Sequence, residues 1–303
     1  MYKGNGKLLL SGEYFVLSGA NALALPTRMG QQFKVKEQSR GYDLVWRSYD
    51  HNEELWFEAK YSLYNFKILQ STDEDRARWL GDLIQACCKQ NSEFLSTWKG
   101  YQVKSTIDYP IQWGLGSSST LINFLAEWAD INPYILLFDT LGGSGYDVAC
   151  ARAEGPLIYH IGDEAISIDH LGKSLPGSKY FYFVYSGTKQ DTQDEVKSYN
   201  GKPPPNDEII QRISQISKEL STVSSYNKLL DLIGEHEEIV SQHIEKEKVK
   251  DLHFSDFWGE IKSLGAWGGD FYLAVSNKGK EKTEEYFNSK GYEVFFDYDQ
   301  IIL

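Results

Sequence analysis

A mixed fold of strands and helices in two parts is what the sequence predicts, and three observations carry the prediction. Residues 101–107 alternate and are rich in β-branched side chains, whereas residues 121–128 carry apolar side chains at helical spacing, so a strand gives way to a helix within one turn. Residues 31–60 alternate again with aromatics, the pattern of a sheet with one face packed and one wet. The composition then shifts at 172–177, a glycine, serine and proline stretch, before the nearly continuous apolar run 179–185 of a buried strand. A chain of 303 residues with 41% apolar side chains can fill two cores, and the boundary at 172 divides it into 1–172 and 173–303.

In chain order, residues 6–19 read as a strand, a turn at Ser11 and Gly12, and a short extended piece. After the alternating region, which is most simply antiparallel, helical spacing is read at 61–71 and at 73–90, the second opened by an acidic capping stretch. Trp46, Trp56 and Phe57 are either core or the lining of a base pocket, with core the ordinary use. Pro133 starts a short helix, a glycine-rich turn at 142–145 precedes another, and 156–161 with 165–169 form a hairpin. Beyond the boundary, helices are expected from Asp191 or Thr192 to about 199, at 207–222, 226–248, 255–264 and 280–289, with strands at 271–276 and 292–296. The charged faces of the long helices read as solvated, and His236, His243 and His253, which lack zinc spacing, read as surface residues.

A formal charge of −12 argues against nucleic-acid and anionic-membrane partners, while leaving room for a local phosphate pocket. Cys87, Cys88 and Cys150 offer neither a disulfide framework nor metal spacing. With no signal-peptide core at the start and no apolar run of membrane-spanning length, a cytoplasmic protein is expected.

Three stretches carry candidate chemistry. Gly114, Leu115, Gly116, Ser117, Ser118 and Ser119 join strand to helix, so hydroxyls and unpaired amides gather at the positive end of a helix dipole. They suit a phosphate, or else form an ordinary serine-capped helix start. The pattern is neither a P-loop nor a dinucleotide fingerprint. Lys7 and Glu13 stand as charges in apolar surroundings, where partners are needed. Asp147 sits among glycines at a helix start, as a cap or as a base kept ionised by a neighbouring cation.

Pro110 through Ser118 resembles the Pro-x-x-x-Gly-Leu-Gly-Ser-Ser motif of the GHMP small-molecule kinases. Gly6, Lys7, Leu10, Gly12 and Glu13 match that family's first motif, with Tyr14 where His is common and Asn5 where Pro is common. Residues 143–149 resemble its Gly-Ser-Gly-x-Asp-x-Ala element, with Asp147 at the proposed base, and residues 265–269 resemble its third motif, with Trp267 replacing a glycine. These motifs fall in the family's order from residue 6 to 275, and the Gly-Tyr-Asp at 145–147 is similar to a bacterial subgroup.

The resemblance implies an α+β architecture: an N-terminal domain like ribosomal protein S5 domain 2 and a C-terminal ferredoxin-like α/β sandwich. It implies ATP and Mg2+ as cofactors, phosphates held at Gly114 to Ser119, Asp147 as base, and Lys7 as its cationic partner. Glu13, Tyr14, Gly268 and Gly269 fall on the substrate side, and Ser118 matches a magnesium-contacting serine. The Glu that helps hold magnesium in mevalonate kinases has no match, since Leu136 and Leu137 occupy its region and Asp139 is the nearest acid. Mevalonate is the expected acceptor. Phosphomevalonate, suggested by Asp270, and a non-catalytic binder of nucleotide or metabolite are the alternatives, and monomer and homodimer are both compatible.

Overall fold

A computed structural model of the chain describes residues 1–303 except 40, 98, 164, 188–203 and 266–268. The helix expected from residue 191, together with Trp267 and Gly268, lies outside the described residues. Two compact units form: residues 1–6, 29–111 and 115–152 make the first, and residues 7–28, 112–114 and 153–303 the second.

The first unit carries strands β2 (Ala22–Gln38, from residue 29 on), β3 (Asp43–Tyr49), β4 (Leu55–Ser62), β5 (Ile68–Ser71) and β6 (Gly100–Ile107) in the order β5-β4-β3-β6-β2. In the stretch expected to be antiparallel, 31–60, β3 and β4 do pair antiparallel, whereas β2 and β3 do not pair with each other. β6 inserts between β2 and β3, antiparallel to β2 but parallel to β3, with Leu44 opposite Tyr101. The helix expected at 61–71 is instead the end of β4 and all of β5, which pair through Tyr61 and Ile68. Helix α1 (Glu74–Gln90) does form: Asp73 caps it by accepting the Arg76 amide at 3.0 Å. Helix α2 (Ser117–Ala129) buries Ile122, Phe124 and Leu125, and Phe124 stacks on Phe33 at 4.2 Å between ring centroids. Trp46 and Phe57 join this core, which is why their bulk is apolar scaffold. Helices α3 (Pro133–Thr140) and α4 (Tyr146–Arg152) complete the unit, α3 capped by Asn132 with Pro133 at its first turn.

In the second unit, the early part of β2 pairs with β7 (Leu157–Ile161), which pairs with β8 (Ile166–His170). β9 (Phe181–Tyr185), β10 (Glu260–Leu264), β11 (Phe271–Val275) and β12 (Phe295–Asp297) form a four-stranded antiparallel sheet, order β10-β11-β9-β12. Helices α5 (Asp207–Thr222), α6 (Tyr226–Ile244) and α7 (Val249–His253) intervene between β9 and β10, and α8 (Lys280–Ser289) between β11 and β12. Such a strand order with helices in those two connections is ferredoxin-like, as expected. The helix expected at 255–264 is a correction: its second half is β10, whose Ile261 and Leu264 face the same three-residue spacing a helix would show but pair with Ala274 and Phe271.

Candidate functional site

In the first unit, the glycine and serine stretch becomes a helix start through one backbone conformation. Gly116 adopts φ 93, the left-handed region, and Ser117 begins α2. The first helical hydrogen bond runs from the Thr120 amide to the Gly116 carbonyl at 3.2 Å, so the amides of Ser117, Ser118 and Ser119 have no intrahelical acceptor. Leu115 is fully buried and can offer only backbone. Ser119 is buried and its hydroxyl donates back to the Gly116 carbonyl at 2.7 Å, whereas Ser118 is exposed and Ser117 half-buried. Amides without an intrahelical acceptor thus lie at the positive end of a thirteen-residue helix, an arrangement suited to an anion.

Asp147 lies in the first turn of α4, half-buried, with its Oδ1 accepting the Val148 amide at 3.0 Å. The two helix starts are tied by a residue that sequence reasoning passed over. Asn123, 4% exposed, donates from Nδ2 to the Ser119 carbonyl at 3.1 Å and to the Val148 carbonyl at 3.0 Å. Its signal was present: an amide among Leu121, Ile122, Phe124, Leu125 and Ala126 on a helix that is otherwise apolar there.

Leu136 and Leu137 are core residues, and Asp139 is exposed and accepts from Gln90 Nε2 at 3.3 Å, turned toward α1. No group of three or more acidic, histidine or cysteine residues suited to a metal exists among the described residues. The Ser118 hydroxyl is an oxygen of the kind a hard cation accepts.

The second unit holds the other candidates. Lys7 is half-buried in β1 (Tyr2–Ser11), followed by the buried Leu8, Leu9 and Leu10. At Gly12 (φ 94) a Cβ would lie 2.8 Å from the Ala22 Cα, so only glycine fits the turn. Tyr14 adopts φ 67, a left-handed conformation that costs a non-glycine residue energy and persists only when its surroundings enforce it. The Glu13 carboxylate is buried and pairs with Lys262, whose Nζ lies 3.0 Å from Oε1, while Oε2 lies 3.4 Å from His236 Nε2. Lys262 also donates to Glu237 Oε1 at 3.0 Å and lies 3.2 Å from His236 Nδ1. Backbone closes the cluster, since the Gly12 amide donates to His236 Nε2 at 3.1 Å and the Ser263 amide to Glu237 Oε2 at 3.2 Å.

Burial and the adjacent Lys262 ammonium hold the His236 imidazole below its ordinary range. For Glu237, desolvation opposes ionisation but the Lys262 and His236 contacts outweigh it, lowering its pKa. Desolvation likewise opposes the charge on Lys262, and the two carboxylates override it and raise its pKa. The reading of His236 as a surface residue is thus corrected: it is 0% exposed. The reason is legible in α6, where Leu229, Leu232, Ile233, His236, Glu237, Val240 and Ile244 repeat at three- and four-residue spacing on one buried stripe.

Gly114 (φ 66) meets a different neighbour. A Cβ there would collide with Asp270 Oδ2, so the Asp270 carboxylate rests on the Gly114 backbone. The Ser186 amide donates to the Asp270 carbonyl at 3.0 Å, the Tyr185 hydroxyl donates to the Gln112 carbonyl at 3.3 Å, and Trp113 packs edge-on against Phe271 and Phe296. Gly269 adopts φ 27, with a Cβ position 2.6 Å from the Leu264 carbonyl oxygen.

No protein-family model and no curated protein matches the amino-acid sequence. Solved structures do match in fold. A mevalonate kinase from Methanococcus jannaschii superposes with TM-score 0.65 at 16% identity, covering 98% of this chain and 96% of that one. A Streptococcus pneumoniae phosphomevalonate kinase bound to phosphomevalonate and AMPPNP gives TM-score 0.69 at 15% identity, covering 98% and 99%. A Lactococcus lactis galactokinase complexed with galactose gives 0.67 at 11%, covering 97% and 92%. The chain therefore has the GHMP kinase fold over nearly its whole length. No helix among the described residues is long and apolar enough to cross a membrane.

Proposed function

We propose that the chain is an ATP-dependent kinase that transfers the γ-phosphoryl group to the hydroxyl of a small acidic metabolite, mevalonate foremost. The observation that carries this reading is the pairing of two helix starts: unbonded amides behind Gly116 to cradle phosphates, and Asp147 joined to them through Asn123. Fold neighbours that are kinases support it.

In the proposed reaction, amides and hydroxyls of residues 114–119 hold the phosphates while the acceptor hydroxyl approaches the γ-phosphorus. Asp147 takes the hydroxyl proton as the new O–P bond forms and the bond to the β-phosphate oxygen breaks, so the proton rests on the carboxylate and the electron pair leaves with ADP. Lys7, by the motif it belongs to, keeps Asp147 ionised and offsets charge on the transferring group. Ser118 would be the protein contact of Mg2+, which would supply charge neutralisation at the phosphate oxygens when bound. Most of the acceleration comes from positioning and charge stabilisation. Tyr14 and Gly269 border the acceptor in this reading, and phosphomevalonate is the second acceptor to try, because Asp270 follows the third motif as an Asp does in some phosphomevalonate kinases.

The test is ADP release by purified protein with ATP and Mg2+, in separate reactions with mevalonate, phosphomevalonate, homoserine and galactose. Turnover with one acceptor, lost in Asp147→Asn while ATP-dependent thermal stabilisation persists, is the expected result. Unchanged turnover in that variant would remove Asp147 as the base. ATP-dependent stabilisation with no turnover for any acceptor would favour a binder.

A further inference from the structure

Asn123 is placed at a cost. Its side chain is 4% exposed, between Ile122 and Phe124 of the apolar core, and its Oδ1 has no hydrogen-bond partner. An unpartnered buried acceptor is unfavourable, and a leucine, which has the same branched skeleton, would carry no polar atom to leave unpaired. What the amide gives in return is two donors, both from Nδ2: one to the Ser119 carbonyl at the start of α2, the other to the Val148 carbonyl at the start of α4. The Val148 amide in turn donates to Asp147 Oδ1 at 3.0 Å. The far end of α4 is fastened to the same residue, because Arg152 Nη2 donates to the Asn123 carbonyl at 3.4 Å. Both ends of this seven-residue helix therefore bond to one residue of α2.

We propose that Asn123 is a positioning residue that holds the Asp147 carboxylate in register with the helix start behind Gly116. The proposal rests on the kinase reading above. It assigns Asn123 no contact with substrate: it acts through the Val148 backbone, whose displacement moves Asp147. Misplacing a reacting group by about 1 Å costs about 100-fold in rate.

Two variants test it. Asn123→Leu removes the donors and the unpartnered oxygen together, and Asn123→Asp keeps the shape while replacing two donors by at most one, so that the Ser119 and Val148 carbonyls can no longer both be held. In Asn123→Leu, kcat is expected to fall by about 100-fold with KM for ATP within about twofold of the parent. In both variants, hydrogen–deuterium exchange in peptides covering 145–152 is expected to rise, with or without substrate present. Parental kcat in Asn123→Leu, or unchanged exchange at 145–152, overturns the proposal. So does a kcat loss that tracks a loss of melting temperature in Asn123→Leu, since packing alone would then explain it. If Asn123→Leu does not fold, the exchange and kcat of Asn123→Asp decide in the same two directions. Absence of turnover in the parent with every acceptor is a failure of the kinase reading, and the exchange measurement still supports or overturns the link itself.

Discussion

Replacing Lys262 by Met, which removes the ammonium at the centre of the buried cluster, exposes the physics of the second unit most directly. Its Nζ lies 3.0 Å from both Glu13 Oε1 and Glu237 Oε1, with all three side chains nearly inaccessible to water. The variant leaves two buried carboxylates with no cation between them. Breaking a buried pair in this way costs about 3–5 kcal/mol, because the stranded charges stay desolvated. For a unit of this size each kcal/mol moves the melting temperature by about 2–4 °C, so a fall of roughly 6–20 °C is expected. The companion variant Glu13→Gln/Glu237→Gln/Lys262→Met removes all three charges and should recover most of the loss, since only uncompensated charge is costly. Far-UV circular dichroism melts of parent, single and triple variants at pH 7.5 read the effect. A single variant melting within about 2 °C of the parent, or a triple variant no better than the single, would refute an interior ion cluster as the link between Glu13, α6 and β10.

The same cluster sets a pH window. The folded-state pKa values of His236 and Glu237 are depressed below the ordinary 6.5 and 4.5, so their contribution is full above pH 6.5 and is lost as pH falls toward the folded values. That of Lys262 is raised above 10.5, so its contribution is full below pH 10.5 and is lost on further rise. Urea midpoints should therefore be flat between about pH 6.5 and 10.5 as far as these groups decide, and His236→Gln should delay the acid-side decline; an identical acid slope in that variant would exclude His236. At Gly114, an Ala forces a methyl against the Asp270 carboxylate in a left-handed backbone, so Gly114→Ala should weaken ATP-dependent thermal stabilisation. Adding Asp270→Ala should restore part of it, and strictly additive effects in that double-mutant cycle would mean the two residues do not meet.

Local chemistry made much of the fold legible. Asp73, Asn132 and Asn206 each accept an amide two or three residues ahead, and a cap of that kind is complete within one turn, so the helices they open were readable without knowledge of anything distant. The glycine and serine turn into α2 was readable for the same reason: glycine at 116 is needed for a left-handed residue that lets a helix start abruptly. Asp147 at the start of α4 came from its glycine neighbours.

Misreadings arose where a segment's state depends on its partner. Residues 61–71 and 255–264 have apolar spacings that suit either period, and pairing with β5 in one case and β11 in the other decided for strand. The parallel placement of β6 beside β3 joins residues more than fifty apart and has no local signature. Site residues divide along the same line. Lys7, Glu13, residues 114–119 and Asp147 stood out by sequence pattern, and residues 265–269 by resemblance. The helix starts, glycine turns and capping residues that the proposed chemistry uses were legible along the chain, because amide geometry, glycine freedom and helix capping act over a few residues. Only the tertiary structure decided that Glu13 is answered by Lys262, that His236 is interior, that Asp270 rests on Gly114, and that Asn123 joins two helix starts. Such contacts join groups remote along the chain, and burial, which makes each of them consequential, is a property of the packed interior and of no single stretch of sequence.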